Sequence, residues 1–272
     1  MPKHLRWLLP LLALLLSTAI LAQPRELLVP GGIALIDLEP NQATGFYFRD
    51  KPVLVTRIDG QHLAIVGLPL NLKPGEYFVE RRDSDQVYKK FFTVKDKQYT
   101  VQRITIENKR KVNPYESDIP RILAEKKRKQ TARNHYTRGE VDVDLLLPVN
   151  GIQTGSFGRR RVLNGQSRRP HSGMDIAAEI GTPVLAPSAG KVIEIGDFFF
   201  SGNLVYIDHG QGMISLFAHL SEIDVELGDR VEKGQLVGKV GATGRVTGPH
   251  LHWSLGLNGT WIDPALFLDD QL

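Results

Sequence analysis

Histidines crowd into the last part of the chain, and two of them lie only two positions apart. His250 and His252 alternate with Leu251, Trp253 and Leu255. A strand with this alternation carries its imidazoles on one face and its apolar side chains on the other. We therefore expect the apolar face to pack and the imidazole face to point outward. Five of the eight histidines lie in the last 102 residues: His171, His209, His219, His250 and His252.

A second pair of metal-ligating side chains lies upstream, where His171 and Asp175 are four positions apart. Pro170 biases the residue before it towards extended structure, and Gly173 argues against a helix. In an extended strand, positions i and i+4 share a face. The sequence therefore predicts that this imidazole and this carboxylate point the same way.

A further histidine, His219, falls near the end of a third apolar run, Met213 to Leu220. Strict alternation along a strand puts His219 on the same face as Met213, Ser215 and Phe217. We expect this strand to bring a third imidazole towards the other two groups.

Imidazole and carboxylate side chains in these numbers predict a metal site. Three nitrogen or oxygen ligands with an open fourth position are typical of catalytic zinc, and this ligand set suits zinc better than calcium or magnesium. The alternative is that each histidine only satisfies a hydrogen bond in the core. That alternative usually holds for one histidine, but it does not account for five in one region. His209, which lies in a predicted turn, is the exception, and we expect it to make a local hydrogen bond.

Three segments carry a resemblance to a known family. They are His171–Asp175 (HSGMD), Phe217–Leu220 (FAHL) and Gly241–Trp253 (GATGRVTGPHLHW). They resemble the signature segments of the LytM or lysostaphin-type zinc metallopeptidases, which cut peptide bonds in peptidoglycan, and the match extends from about Leu147 to Leu268. The resemblance implies that His171, Asp175 and His252 bind Zn²⁺, and that His219 and His250 are the catalytic pair.

The chemistry of the residues gives these histidines their expected roles. Zinc supplies a nucleophile near neutral pH and polarises the scissile carbonyl. No glutamate lies beside the histidine motifs, so imidazoles must take the proton and face the developing oxyanion. We expect His219 to act mainly as the base and proton shuttle, and His250 to orient the water or stabilise the tetrahedral intermediate.

The expected substrate is the stem peptide of peptidoglycan. An arginine-rich stretch before the first motif is predicted either to clamp stem-peptide carboxylates by bidentate pairing or to form a solvated loop face. Asn164 in the same loop and Arg169 are candidate substrate contacts. The stretch contains Arg159, Arg160, Arg161, Arg168 and Arg169.

Two other functions remain open at this point. Some LytM-like domains have lost ligands and act without hydrolysis, by binding and activating cell-wall amidases, but here all five positions are filled. The sequence also contains a weak internal repeat that resembles the turns of biotinyl and lipoyl carrier domains. Its two copies are Gly181–Val184 with Gly190–Val192, and Gly228–Val231 with Gly238–Val240. A carrier needs a modifiable lysine at a characteristic hairpin tip, which we do not find, and it has no use for the histidines.

The first 22 residues are typical of an export signal. Lys3 and Arg6 precede a Leu-rich run, and smaller residues lead to a plausible cleavage site after Ala22. The alternative is an uncleaved anchor, although the apolar run is short for a bilayer span. We expect a periplasmic protein of the Gram-negative envelope that contacts the membrane only through this segment, with other cell-wall enzymes as possible partners.

The rest of the chain divides into three predicted parts, and the fold class is mainly β. Residues 26–106 alternate short β-branched and aromatic runs with turn signals, which predicts an N-terminal β-sandwich of immunoglobulin-like type. This part is similar to the β-domain that precedes the peptidase in some Gram-negative envelope proteins. Residues 107–140 are predicted to be a basic linker, helical from Asp118 to Tyr136. Residues 141–272 form the predicted antiparallel LytM-like domain, which is related to the biotinyl/lipoyl hybrid fold.

Composition and charge exclude several other classes. The chain has 272 residues, of which 42% are hydrophobic, so it can build ordinary packed cores. The net charge of +4 is regional, because residues 107–140 alone hold ten Lys or Arg against five Asp or Glu. A nucleic-acid-binding face over the whole protein is therefore not expected. The chain has no cysteine, which excludes disulfides, thiolate metal sites and a cysteine nucleophile. For the basic linker, we favour a solvated connection over an arm attracted to an anionic surface.

Overall fold

The structure is a computed structural model that describes residues 23–39, 45–82 and 88–269. The predicted export signal, residues 1–22, lies outside the described residues. Among the helices that are described, none has the length and apolar character needed to cross a membrane.

The N-terminal part contains two antiparallel sheets packed around a shared apolar core, as the alternation of β-branched and aromatic residues predicts. One sheet has the strand order β1-β5-β4 and the other β3-β2-β6-β7. Phe46, Phe48, Val66 and Val79 are buried between them. We call this part the N-terminal sandwich. Its strands are β1 Ile33–Leu38, β2 Phe46–Phe48, β3 Lys51–Pro52, β4 Leu54–Ile58, β5 Gln61–Gly67, β6 Gly75–Arg81 and β7 Tyr88–Val94.

The next strand leaves the sandwich and joins the C-terminal part. Strand β8, Val101–Ile104, pairs in parallel with strand β10, Arg160–Leu163. A short helix α1, Lys109–Val112, and a 3-10 turn, Glu116–Asp118, follow, and helix α2 runs from Ile119 to Arg133. Asp118 is the N-cap of this helix, in agreement with the predicted start, and the helix ends three residues before the predicted end at Tyr136.

Helix α2 lies with one face against the C-terminal sheet, while most of its residues are exposed, so the linker is solvated as expected on its outer side only. Its Ala132 packs in one apolar cluster with Phe198, Tyr206 and Leu216 of that sheet. On the same side, the Arg128 guanidinium donates to the Glu194 carboxylate through Nε at 3.0 Å and Nη2 at 2.5 Å. The basic residues of the helix are thus partly neutralised by acidic residues of the sheet. The sequence pattern alone could not show this, because the partners are more than 60 positions away.

The C-terminal part is built on an eight-stranded antiparallel sheet. Its order is β18-β14-β15-β16-β20-β12-β9, with β21 paired to β20, and a smaller sheet, β13-β19-β17, packs nearby. A large core, including Phe217, Trp253 and Val237, fills this part. The strands are β9 Ile152–Gly155, β10 Arg160–Leu163, β11 Gln166–Ser167, β12 Met174–Ala177, β13 Pro183–Leu185, β14 Gly190–Phe198, β15 Gly202–Gly210, β16 Met213–Leu220, β17 Glu222–Ile223, β18 Arg230–Val231, β19 Leu236–Lys239, β20 Leu251–Leu257 and β21 Thr260–Ile262; a 3-10 turn, Pro264–Phe267, follows.

Two amide side chains fasten the N-terminal sandwich to this sheet. The Asn258 side chain accepts from the Gly67 N–H at 2.7 Å and donates to the Gly67 carbonyl at 3.0 Å. The Gln211 side chain makes the same pair of bonds with Val55, both at 3.0 Å. Each amide thus satisfies the backbone N–H and carbonyl of one sandwich residue, as a neighbouring strand would. The contact is also apolar, because Ile65 of the sandwich belongs to the C-terminal core.

Replacing Asn258 by glycine should destabilise the protein by about 2 kcal/mol, because it leaves both buried backbone groups of Gly67 without partners. Glycine suits the positive φ of 39° at this position, so the change tests the hydrogen bonds and not the backbone conformation. Chemical denaturation measures the effect. Gln153→Ala is the matched control, since Gln153 is an exposed residue of strand β9. Equal free energies of unfolding for the two variants would contradict this role.

Candidate metal centre

Two of the predicted ligands are fixed by the pairing of neighbouring strands. Asp175 of β12 lies directly opposite His252 of β20 in the antiparallel register, so both side chains point to the same face. Met174 and Trp253, which form the next pair, point to the other face and lie in the core. The alternation in the His250–Leu255 segment therefore separates the two faces and packs the apolar one, as predicted. The polar face does not point outward as expected, because His252 and Ser254 are buried too.

His171 completes a group of three buried side chains. Its Nε2 lies 2.9 Å from Asp175 Oδ1 and 3.0 Å from His252 Nδ1, and His252 Nδ1 lies 2.8 Å from the same carboxylate oxygen. Three ligand atoms this close together can share one divalent cation. The donor set of two nitrogens and one oxygen fits zinc chemistry, and every distance is short enough for a single ion.

Outer contacts orient each of these side chains. The His171 Nδ1 lies 2.9 Å from the carbonyl of Ser156. Because a carbonyl only accepts, Nδ1 carries the proton and Nε2 keeps its lone pair for a metal. His252 Nε2 lies 2.9 Å from Ser254 Oγ, and Arg161 Nη2 donates to Asp175 Oδ2 at 2.6 Å. Such partners are characteristic of metal sites, where they fix the orientation of the ligands.

The electrostatics give these groups the protonation states that a cation requires. Burial opposes ionisation of Asp175, but the adjacent His171 and His252 imidazoles outweigh it and hold the pKa of the carboxyl well below its usual range. Burial lowers the pKa of His252 to about 4, against the opposing effect of Asp175. At neutral pH the carboxylate is therefore ionised and the His252 imidazole neutral, which is what metal binding needs.

His219 and His250 lie side by side next to this group, with ring centroids 4.8 Å apart. The Nδ1 of His219 lies 2.8 Å from the carbonyl of Thr243, and the Nδ1 of His250 lies 2.9 Å from the carbonyl of Gly248. Because a carbonyl only accepts, each ring carries a proton on Nδ1. Burial, followed by the neighbouring His250 and His252, holds the pKa of His219 well below its usual value.

The face of His219 differs from the one that alternation predicts. Phe217 pairs with Trp253 and points into the core, so strict alternation would send His219 there too. Instead, the backbone of His219 has a φ of 69°, and the pairing of β15 with β16 shifts register nearby. This bulge turns the ring to within 6.0 Å of the His252 ring, measured between centroids. A non-glycine residue in this conformation is strained, and such strain is common at functional sites.

Comparisons with known proteins agree with this geometry. Residues 169–264 match the Peptidase family M23, and residues 27–97 match the Peptidase family M23 N-terminal domain. A crystal structure of a chain assigned to peptidase M23, from Pseudomonas aeruginosa, is 42% identical to this protein, covers 89% of it and 95% of that chain, and has a TM-score of 0.76. The chain belongs to peptidase family M23.

Curated M23 relatives align over a shorter range. The protein named peptidoglycan DD-endopeptidase ShyA, from Vibrio cholerae, is 46% identical over 90 residues, which are 33% of this chain and 21% of that protein. The protein named DD-carboxypeptidase/endopeptidase Mpg, from Neisseria meningitidis, is 44% identical over 97 residues, or 36% of this chain and 22% of that protein. The chain thus spans about a fifth of the length of these relatives. Membership of M23 confirms the resemblance to LytM-type metallopeptidases.

The remaining candidate residues of this M23 chain have different surroundings. The Asn164 side chain makes two hydrogen bonds with the backbone of Ile106, at 2.8 and 2.9 Å, so it anchors a turn to the chain after β8. Arg169 is exposed. His209 lies in strand β15 and not in the predicted turn. It is buried and contacts the Ala189 carbonyl, 20 positions away, and Ser215 Oγ, both at 2.9 Å, so its role is structural but its hydrogen bonds are not only local. Sequence reasoning missed the contact of Arg161 with Asp175, because only the fold brings them together.

Gly155 leaves room for the Asp175 carboxylate, and this gives a test of the centre. A Cβ at position 155 would lie 2.5 Å from Asp175 Oδ2 and 2.9 Å from its Cβ. Gly155→Ala should therefore displace the carboxylate and weaken zinc binding by about tenfold or more, the size of effect seen when outer contacts of metal ligands are lost. Competition with a chromogenic chelator measures the affinity.

Gly248→Ala is the matched control, because a Cβ there meets nothing within 4 Å. It should bind zinc as the unaltered protein does. Equal zinc affinity in both variants would mean that the Asp175 carboxylate is not a ligand.

Proposed function

We propose that this protein is a zinc-dependent endopeptidase that hydrolyses peptide crosslinks of bacterial peptidoglycan, at bonds between D-alanine and meso-diaminopimelate. The observation that carries the proposal is the convergence of His171, Asp175 and His252 within 4.8 Å, with the His219 and His250 rings beside them. Membership of M23 and the printed names of the relatives, peptidoglycan DD-endopeptidase and DD-carboxypeptidase/endopeptidase, support the same chemistry.

The proposed ligands are His171 through Nε2, Asp175 through Oδ1 and His252 through Nδ1. A bound zinc ion would supply Lewis-acid polarisation of the scissile carbonyl and would make a water acidic enough to lose its proton near neutral pH. The Arg161 side chain holds the far oxygen of Asp175 and keeps the other oxygen turned towards the histidines.

His219 and His250 divide the proton transfers in this proposal. Burial keeps the His219 ring neutral at pH 7, so its Nε2 can accept the proton of the attacking water and later deliver it to the leaving amine. His250 is held through Nδ1 by the Gly248 carbonyl. It orients the water by accepting a hydrogen bond from the second O–H of that water. The alternative role of the same ring is to face the developing oxyanion and stabilise the tetrahedral intermediate.

The surrounding parts follow from the same proposal. The chain is expected to be exported by residues 1–22 and to act in the periplasm of a Gram-negative cell. The proposed parts are an N-terminal β-sandwich over 26–106, a basic helical linker over 107–140 and the metallopeptidase domain over 141–272. The parallel pairing of β8 with β10 indicates that the end of the first part is built into the third.

Incubation of the purified protein with defined crosslinked muropeptides tests the proposal directly. We expect mass spectrometry to show uncrosslinked stem peptides, no release after treatment with a chelator, and recovery when zinc is added back. Crosslinks that stay intact under every condition would contradict the endopeptidase function. They would favour the alternative, a LytM-like protein that binds and activates a cell-wall amidase without hydrolysis.

Single substitutions separate metal binding from proton transfer. His219→Ala and His250→Ala should retain zinc and lose cleavage by about 100-fold or more, the usual contribution of general acid–base catalysis. His252→Ala should lose the metal as well as the activity. Metal content by elemental analysis and product release by chromatography give the two readings. His62→Ala, in the N-terminal sandwich, is the control, and near-normal turnover in either of the first two variants would refute the assignment.

A further inference from the structure

We propose that Arg161, Arg168 and Arg245 form a carboxylate-binding subsite beside the metal centre. It would take the free carboxylate borne by the carbon atom next to the scissile nitrogen. The inference rests on the proposed peptidase function, because it names the part of the substrate that this site recognises.

The three guanidinium groups come from two separate segments, the β10–β11 hairpin and the loop before His250. Arg161 and Arg168 face each other across the β10–β11 hairpin, where the Arg168 N–H donates to the Arg161 carbonyl at 2.8 Å. Arg168 Nη2 donates to the Val112 carbonyl at 3.0 Å, and Arg245 Nη1 lies 3.5 Å from the adjacent Lys111 carbonyl. Arg168 and Arg245 therefore contact adjacent residues of helix α1.

The cluster adjoins the proposed catalytic residues on two sides. Arg161 contacts the Asp175 carboxylate directly, at 2.6 Å. Arg245 lies in the loop before His250, two residues after Thr243, whose carbonyl is 2.8 Å from His219 Nδ1. An anion held between these arginines would thus lie next to both the metal ligands and the proton-transfer pair.

Positive charge in this cluster exceeds the negative charge that faces it. Arg168 contacts only neutral acceptors among the described residues, namely the carbonyls of Val112 and Ser167 and the side chains of Asn113 and Gln166. Arg245 stacks on the Phe200 ring, with its guanidinium carbon 4.7 Å from the centroid. The Asp175 carboxylate is the one described acidic group that pairs with any of the three.

One buried nitrogen of the cluster has no hydrogen-bond partner among the described residues, which supports an anion-binding role. The Nε of Arg161 is buried and has no hydrogen-bond partner among the described residues, although its Nη2 is paired. Burial, and then the charges of Arg161 and Arg168, lower the pKa of Arg245 to about 10. Partly desolvated guanidinium groups without a matching carboxylate are costly, and such an arrangement is typical of a site that binds an anion.

The chemistry of the proposed bond supplies the anion. In a crosslink from D-alanine to meso-diaminopimelate, the carbon that bears the acylated nitrogen also bears a free carboxylate. A terminal D-alanyl-D-alanine bond has a carboxylate at the same place. A planar carboxylate is the group that guanidinium forks bind in bidentate fashion. One subsite would therefore serve both kinds of DD-bond.

Binding of the leaving half of the substrate tests the subsite without relying on hydrolysis. The probes are the tripeptide L-alanyl-γ-D-glutamyl-meso-diaminopimelate and the same tripeptide amidated at the carboxylate next to the free side-chain amine. Isothermal titration with the zinc-loaded protein should show binding of the acid about tenfold or more tighter than that of the amide, since charge-assisted pairs are the strong ones.

Substitutions then assign the selectivity to the arginines. Arg245→Gln should lose the preference for the acid and leave amide binding unchanged, and Arg245→Lys should recover part of it, because lysine keeps the charge but not the fork. Arg230→Gln removes an exposed charge on strand β18 and should behave as the unaltered protein. Zinc content and thermal melting, measured on each variant, show that the centre and fold are intact.

Equal binding of both tripeptides, binding of neither, or an equal loss for both in Arg245→Gln would overturn the subsite. Selective binding of the acid without any cleavage of crosslinks would support the subsite while contradicting the proposed function. If the protein cleaved amidated and free crosslinks equally and bound both tripeptides equally, the proposed function would be supported and the subsite contradicted.

Discussion

The register between strands β12 and β20 is the constraint on which the whole site depends. It sets Asp175 opposite His252 on one face of the sheet, with Met174 and Trp253 on the other. A shift of one residue would exchange the two faces, moving the carboxylate into the core and an apolar side chain to the site. The buried apolar partners of these strands therefore fix the register, and the register in turn brings the ligands of the candidate metal centre together. The packing of the apolar core and the placement of Asp175 and His252 therefore both depend on the pairing of β12 with β20.

An ionised carboxylate that is nearly buried must be compensated, and the fold does this with three cationic or polar neighbours. His171, His252 and Arg161 all contact Asp175 within 3.0 Å. Because one oxygen faces Arg161 and the other faces the imidazoles, the carboxylate cannot rotate freely. The same pattern extends outward, since Ser156 and Ser254 orient the two imidazoles. Positive charge extends beyond Asp175 into the cluster of Arg161, Arg168 and Arg245. Among the described residues, no acidic side chain other than Asp175 pairs with these arginines.

Much of this structure follows from local sequence pattern. The bounds of Ile33–Leu38 and Tyr88–Val94 agree with their β-branched and aromatic runs, and the helix after Asp118 follows from good helix formers after Pro120. The polar face of His252 and Ser254 follows from period-two alternation. Each of these features depends on residues that are close together in the chain, which is why pattern alone suffices.

Features that depend on distant partners could not be predicted in this way. The bulge at His219 reverses the face of one residue without any glycine to signal it. The packed face of helix α2 was missed, because Glu194, which pairs with Arg128, comes from another element. The contact of Arg161 with Asp175 joins a hairpin to a neighbouring strand, and β8 leaves the N-terminal sandwich for a parallel partner. Tertiary context decided all four.

In the proposed centre, His171 Nε2, Asp175 Oδ1 and His252 Nδ1 bind one divalent cation jointly. Anomalous diffraction at the zinc absorption edge, from crystals of the zinc-loaded protein, tests this most directly. We predict one strong peak in this region, about 2.0–2.2 Å from each of the three atoms. A peak bonded to other residues, or full zinc occupancy with one of the three side chains turned away, would show that these three atoms are not the ligand set.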